Sequence, residues 1–253
     1  MFVITKLELT MTDDQILKKL EEFERDVKYQ IEPANNEDDF RYDVGRIPIL
    51  LSAPHGAVHT RNGNPKEEDE YTAGFARLVA DLTGAHAIYA HRKSFTDPNY
   101  DDSAPYKARL KDIVQAGHIQ FVLDLHGMGD DWEFGIALGT MRGQSCPAQK
   151  TQLLHTLETS GFSTDHPERL LRYVVDHPKF TGGVTSHTVT RYASSVLNVP
   201  AVQVELNANL RIPARRQDAS PARKDFRGNP GYIAQAVRAI SNVVLHIAKQ
   251  PLS

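Results

Sequence analysis

The sequence is poor in the features that identify secreted and membrane-bound proteins. It has a single cysteine, Cys146, so no disulfide can form within the chain, which fits a reducing compartment. No apolar run approaches the roughly 20 residues that a membrane span requires. The N-terminal stretch MFVITKLELTMTDDQ lacks the basic region and long apolar core of a secretion signal. We therefore expect a cytoplasmic protein that has no contact with a membrane.

Neither sign of charge is in excess. The chain has 29 Lys and Arg against 32 Asp and Glu, a formal net charge of −3, so nothing in the charge balance favours nucleic acid as a partner. The hydrophobic fraction of 40% is ordinary for a globular protein. We expect a small-molecule partner, and the sequence leaves a homo-oligomer open.

Several catalytic motifs are also absent. There is no G-x-S-x-G elbow, no G-x-G-x-x-G following a strand and no phosphate-binding loop. Cys146 lies in GQSCPAQ with no histidine close in sequence to activate it. The remaining candidates for chemistry are the histidines and the acidic residues.

Strands and helices alternate from residue 46 onward, which predicts a single three-layer αβα domain over residues 46–253 with a mainly parallel mixed sheet. Its apolar strands, such as ILLSA, FVLDL and AVQVE, are typical of a sheet covered on both faces. The strand candidates are 47–53, 86–90, 119–125, 134–139, 170–175 and 201–206. The helix candidates are 69–82, 106–116, 147–159 and 229–249.

Residues 1–45 differ in character and are predicted to form an N-terminal helical extension. Thr12 and Asp13 are a typical helix cap, and Ile16, Leu17, Leu20 and Phe23 follow at helical spacing. A polar stretch, EPANNEDDF, then leads into the domain.

Two histidines end predicted strands, where active sites of α/β proteins are found. His55 lies in SAPHG and His126 in DLHG, and each is followed by a glycine that permits a sharp turn. A lone histidine at a turn is more often a hydrogen-bonded structural residue, but two in matched contexts indicate a metal site. His59, four residues after His55, is expected to be a loop residue near the pocket at most.

A catalytic zinc site has three protein ligands, often two histidines and a carboxylate. Four acids, Glu67, Glu68, Asp69 and Glu70, open the predicted helix after His55. Acids favour helix N-termini whatever their function, so this cluster alone does not choose a ligand.

A third strand ends in VQVELN, where Glu205 closes an apolar strand. A buried carboxylate is costly there unless it is paired or functional, and a carboxylate beside a metal site is the general base of many metallohydrolases. Asp124 is expected on the opposite side of its strand end from His126, where it could hydrogen-bond a ligand imidazole.

Taken in order, SAPHG, the acidic helix start, DLHG, the Gly-Gly segment and VQVELN resemble the N-formylglutamate amidohydrolase family, over roughly residues 46–250. That family comprises zinc hydrolases related in fold to the zinc carboxypeptidases and aspartoacylases. The resemblance implies Zn²⁺ as cofactor, held by His55, His126 and a helix carboxylate. The family pattern fits Asp69 best, with Glu68 and Glu70 as alternatives, and it matches Glu205 to the catalytic glutamate.

The resemblance also implies residues around the substrate. RKSFTDPN would place Arg92, Asp97 and Asn99 at the pocket, and the segment FTGGVTSHTVTRYA would add Thr185, His187 and Arg191. Two departures from the family pattern, Gly127 in place of serine and Val184 in place of an aromatic residue, lie where the substrate would be recognised. The resemblance therefore does not specify formylglutamate.

These observations predict a zinc-dependent hydrolase that cleaves the amide bond of a small N-acyl amino acid, whose carboxylate Arg92 or Arg191 would bind. Two alternatives stay open. One is a carboxypeptidase or poly-γ-glutamate hydrolase on the same scaffold, and the other is a binding protein without catalytic activity.

Overall fold

The computed structural model describes residues 11–220 and 225–249. Its main sheet has seven strands: β1 Phe40–Asp43, β2 Ile49–Ala53, β5 His86–Ala90, β6 Phe121–Met128, β7 Ile136–Gly139, β8 Tyr173–Val175 and β9 Ala201–Asn207. Their order in the sheet is β1-β5-β2-β6-β9-β7-β8. Strands β5, β2, β6 and β9 are parallel, whereas β1 is antiparallel to β5, and β7 is antiparallel to β9 and parallel to β8. A separate hairpin consists of β3 His59–Arg61 and β4 Asn64–Lys66.

Helices cover both faces of this sheet. They are α1 Asp13–Glu24, α2 Thr72–Thr83, α3 Pro105–Gly117, α4 Lys150–Thr159, α5 Val189–Arg191, which continues as a π-helical turn to Val196, and α6 Pro230–Ile247. The predicted three-layer α/β fold with a mainly parallel mixed sheet is thereby confirmed. In the described residues no helix is both long and apolar enough to cross a bilayer.

The alternation of side chains along the strands separates the two layers. On one face, Leu51 of β2, Leu123 of β6 and Val204 of β9 pack against α1, α2, α4 and α6 in the larger core. On the other face, Leu50 and Val122 pack against α3 and α5. This second face also carries a buried polar stripe towards the C-terminal ends of the strands: Ser52, Asp124, His126, Gln203, Glu205 and Asn207.

The N-terminal extension packs against the domain. Thr12 caps α1 in a capping box with Gln15, as the sequence indicates, and Ile16 and Leu20 are buried in the larger core. The extension also supplies a strand that the sequence does not predict, because β1 joins the sheet edge antiparallel to β5. Residues 1–10 of the extension and 250–253 of the domain lie outside the described residues, and the boundary at residue 45 stays a prediction.

Candidate functional site

The two histidines from separate strand ends lie beside one carboxylate. His55 follows β2 by two residues, and its Nδ1 is 3.5 Å from Oδ2 of Asp69. His126 lies within β6, and its Nδ1 is 3.4 Å from the same oxygen. All three side chains are largely buried, with Asp69 the most exposed. Two imidazoles and one carboxylate therefore converge at the C-terminal edge of the parallel strands, where the sequence analysis expects chemistry.

The four neighbouring acids point in different directions. Glu68 accepts hydrogen bonds from the amide and hydroxyl of Ser220, at 2.8 and 2.6 Å, and Glu70 forms an ion pair with Arg215 at 2.7 Å. Glu67 is exposed. Among these acids Asp69 alone faces the histidines. Helix α2 begins only at Thr72, so the acids lie in the loop before it and not in its first turn.

The spacing of the three ligand atoms suits a small tetrahedral cation. The candidate donor atoms of His55, Asp69 and His126 all lie within 4.8 Å of one another. Zinc bonds of about 2.0–2.1 Å at tetrahedral angles place neighbouring ligand atoms about 3.3 Å apart. The separations of 3.5 and 3.4 Å from Asp69 Oδ2 are close to that value. The donor set and its geometry therefore fit a zinc ion with one coordination position left for water or substrate.

The outer nitrogen of each ring has an acidic neighbour. His55 Nε2 is 3.0 Å from Oδ1 of Asp97, and His126 Nε2 is 3.3 Å from Oδ2 of Asp124. At His55 this contact keeps the proton on Nε2 and leaves Nδ1 to bind a metal. At His126 the outer nitrogen also faces the side-chain nitrogen of Asn99, at 3.2 Å. The expectation that Asp124 lies on the opposite side from His126 is wrong, because residues two apart on a strand share a face. Its proposed hydrogen-bonding role is compatible with the observed position.

In this cluster the acidic groups and the imidazoles of His55 and His126 stabilise one another's ionised forms. Burial lowers the pKa of His55, but its hydrogen bonds with Asp69 and Asp97 outweigh that effect and hold the pKa above its usual value. Burial likewise disfavours the charged form of His126, and the charge of Asp124 raises its pKa well above normal. Burial alone would raise the pKa of Asp69, yet its contacts with both histidines hold that pKa well below the usual range. These contacts therefore keep the Asp69 carboxylate ionised.

His59 is part of this cluster as well. It begins strand β3, where the sequence analysis expects a loop, and its ring stacks on that of His55 with centroids 3.9 Å apart. Its Nε2 is 3.6 Å from Asp97 Oδ2, an oxygen that also accepts a 2.6 Å hydrogen bond from Arg61. Burial, with the charge of His55, lowers the pKa of His59 to about 3. The Arg61 guanidinium would repel a second metal ion placed between His59 and Asp97.

Glu205 lies in register beside His126 on the neighbouring strand, and both side chains belong to the polar face. Burial raises its pKa to about 7, although the charge of His126 opposes this shift. Gln203, two residues earlier, donates a 2.8 Å hydrogen bond to Oε1 of Glu205. The side-chain carbonyl of Gln203 in turn accepts from the amide of Gly182, in the Gly-Gly segment. Gln203 is not among the site residues predicted from the sequence, although its i, i+2 spacing from Glu205 on a strand is the signal that could have indicated it.

The predicted substrate residues fall into two groups. Asn99 Nδ2 is 3.2 Å from His126 Nε2, and its Oδ1 accepts from the amide of Val189. His187 and Arg191 line an open pocket of about 390 Å³ next to Val189. Arg92 lies elsewhere: its Nε is 3.8 Å from Glu37, and its amide donates to the carbonyl of residue 39. These contacts place Arg92 beside the extension.

Gly127 departs from the pattern of the resembled family, and the structure gives a reason. A Cβ on this residue would collide with the guanidinium of Arg211, which is fully buried and donates to the carbonyl of Met128. The missing side chain therefore makes room for a buried arginine on the sheet face opposite to that of His126. No sequence signal linked Arg211 to this position.

Comparisons with known proteins concern the fold. No family model matches the sequence, and no curated protein matches it. The chain is similar in structure to N-formylglutamate amidohydrolase from Ralstonia eutropha JMP134, with a TM-score of 0.57 and 14% identity over 83% of this chain and 97% of that one.

Two further similar structures have lower TM-scores. A bacteriophage poly-γ-glutamate hydrolase has a TM-score of 0.45 at 15% identity, covering 84% of this chain and 90% of that one. A metallo-carboxypeptidase from Burkholderia cenocepacia has a TM-score of 0.44 at 11% identity, covering 92% and 67%. The similarity in fold to the amidohydrolase supports the suspected relation, while the function has to be argued from the site.

Proposed function

We propose that the protein is a zinc-dependent hydrolase that cleaves the amide bond of a small N-acyl amino acid. The observation that carries this proposal is the convergence of His55, Asp69 and His126 at spacings that fit a tetrahedral metal, with Glu205 in register beside His126. The similarity in fold to an amidohydrolase is consistent with it.

His55 Nδ1, His126 Nδ1 and Asp69 Oδ2 would hold the zinc ion. When bound, zinc supplies a Lewis acid that polarises the scissile carbonyl and lowers the pKa of water. Asp97 and Asp124 keep both imidazoles oriented with Nδ1 inward.

Glu205 acts as the general base. It takes a proton from the attacking water as the water oxygen bonds to the carbonyl carbon, and it delivers that proton to the amine nitrogen as the C–N bond breaks. Gln203 holds Oε1 of Glu205, so the proton transfers fall to Oε2. A pKa of about 7, raised by burial, suits a group that must both accept and release a proton near neutral pH.

Arg191 is the arginine that we assign to the substrate carboxylate, in preference to Arg92. It is exposed on the wall of the pocket beside α5. Two residues earlier, the amide of Val189 donates to Asn99, whose side-chain nitrogen lies 3.2 Å from His126 Nε2. An arginine fork suits a carboxylate because it donates two parallel hydrogen bonds.

A hydrolysis screen tests this function. N-formyl, N-acetyl and γ-glutamyl amino acids, together with a C-terminal dipeptide, are assayed with and without a chelator, using the wild type and E205Q. We expect chelator-sensitive cleavage of an N-acyl amino acid, and loss of turnover in E205Q with zinc retained. The matched control E37Q changes an exposed glutamate remote from the histidines and should keep full activity. Cleavage of only the γ-glutamyl or dipeptide substrates would replace the proposal with one of its alternatives.

A further inference from the structure

Glu24 is the last residue of α1, and its side-chain carboxylate is buried against the start of α2. It is 1% exposed. Its Oε1 accepts from the amide of Tyr71 at 3.1 Å, and its Oε2 accepts from the amide of Gly74 at 2.5 Å. Tyr71, the residue at the N-cap of α2, forms no side-chain cap of its own. The extension therefore supplies the acceptor that a helix N-terminus usually finds in its own N-cap residue.

The capped turn is bonded directly to Asp69. Thr72, the first residue of α2, donates from both its amide and its hydroxyl to the carbonyl of Asp69, at 3.1 and 2.7 Å. The amide of Asp69 donates to the carbonyl of His55 at 2.8 Å. The backbone of Asp69 is thus fixed between the segment of His55 and the first turn of α2, and a shift of that turn moves its carboxylate.

Glu24 is itself held firmly. Tyr29 donates a 2.6 Å hydrogen bond to Oε1, and Arg216 lies over the Tyr29 ring and donates to the backbone carbonyl of Glu24. Gly74 also leaves space for the carboxylate, because a Cβ there would lie 2.6 Å from Oε2. These contacts bring the extension, α2 and the segment around Arg216 together at one buried acid.

We propose that Glu24 is a positioning residue for the metal centre. By capping α2 it fixes the turn that holds Asp69, so that the carboxylate stays in place between His55 and His126. The part of this inference that concerns metal rests on the proposed function, whereas the capping of α2 does not. The extension then has a definite role, which is to hold a ligand loop in the domain.

Zinc affinity measured by competition with a chromophoric chelator tests the proposal. E24Q keeps one carbonyl oxygen but loses an acceptor, so we expect zinc to bind about tenfold more weakly, and E24A more weakly still. The control L20A removes a fully buried side chain from the same helix without touching the cap. At a temperature where all variants are folded, L20A should bind zinc within twofold of the wild type.

Hydrogen exchange of the amides of residues 69–75 gives a second readout that needs no metal. We expect these amides to exchange faster in E24Q than in the wild type or L20A. Wild-type zinc affinity in E24Q, or an equal loss in L20A, would overturn the positioning role. If the wild type binds no zinc, the proposed function fails, and unchanged exchange in E24Q would then separately refute the capping role.

Discussion

Gln203 donates a 2.8 Å hydrogen bond from its side-chain amide to Oε1 of Glu205. The orientation of that amide is determined by a third group, because the backbone N–H of Gly182 can only donate and lies 2.9 Å from the Gln203 carbonyl oxygen. The backbone of the Gly-Gly segment thereby orients the carboxylate that we assign as general base.

Replacing Gln203 by leucine should lower kcat while zinc stays bound. Without the donor, the Glu205 carboxylate can rotate away from the position required for proton transfer, and we expect a loss on the order of 10- to 100-fold. KM should change by less than about threefold, since Gln203 is not assigned to substrate binding. Steady-state kinetics of Q203L against Q152L, a matched change on helix α4, check this, and a kcat within twofold of the wild type would contradict it.

The choice of Asp69 among four acids is tested by metal affinity. D69N removes the charge of the proposed ligand, so zinc should bind at least about 100-fold more weakly. That loss exceeds the one typically caused by replacing a residue that contacts a metal ligand but not the metal. E67Q neutralises an exposed acid of the same loop and should leave the affinity unchanged. Isothermal titration of the two variants decides the matter: equal affinities would remove Asp69 from the centre.

Replacing Gly74 by alanine tests the cap through the sign of the change in the free energy of unfolding. Alanine is the better helix former by about 1 kcal/mol, so a glycine-to-alanine change in a helix ordinarily stabilises it. Here the new Cβ would meet Glu24, and we expect G74A to lose about 1–3 kcal/mol in the free energy of unfolding. G231A, near the exposed start of α6, is the control and should be neutral or stabilising. Urea denaturation measures both, and a stabilised G74A would refute the contact.

Glu24 should also make stability depend on pH. Burial raises its pKa in the folded protein from 4.5 to about 7, although hydrogen bonds from Tyr29 and Gly74 oppose this. The folded state therefore binds the proton more tightly than the unfolded state, so this group favours folding most below pH 4.5, and that contribution is lost as pH rises to about 7.

The comparison with E24Q, which does not titrate at this position, isolates the effect. The free energy of unfolding of the wild type relative to E24Q should fall by about 3 kcal/mol between pH 4.5 and pH 8. Urea denaturation of both proteins across this range measures the difference. A difference that is constant or increases with pH would show that Glu24 is already ionised throughout.

The fold is largely predictable from the sequence because the parallel strands are continuous apolar runs between helical patterns. The predicted strand at 86–90 matches β5, for example. The missed strands β1, β3 and β4 are only three or four residues long and carry polar residues such as those of Asn64–Lys66. Strands this short depend on pairing partners that the local sequence does not contain.

The histidines of the candidate site could be singled out from the sequence, whereas its acid could not be chosen. His55 and His126 share a local signature, a histidine and a glycine at a strand end. Glu68 and Glu70 are removed from the site by Ser220 and Arg215, which lie 152 and 145 residues further along the chain. Contacts at that separation leave no local pattern, so the sequence alone could not separate these acids from Asp69.

The central claim is that a metal ion is held between two strand-end histidines and Asp69. The most direct test is the zinc content per chain after reconstitution and gel filtration, measured by mass spectrometry of the metal. We expect about one zinc per wild-type chain, the same in the control H155A on the exposed side of α4, and almost none in the double variant H55A/H126A. A wild-type chain without zinc, or a double variant that retains it, would contradict the account.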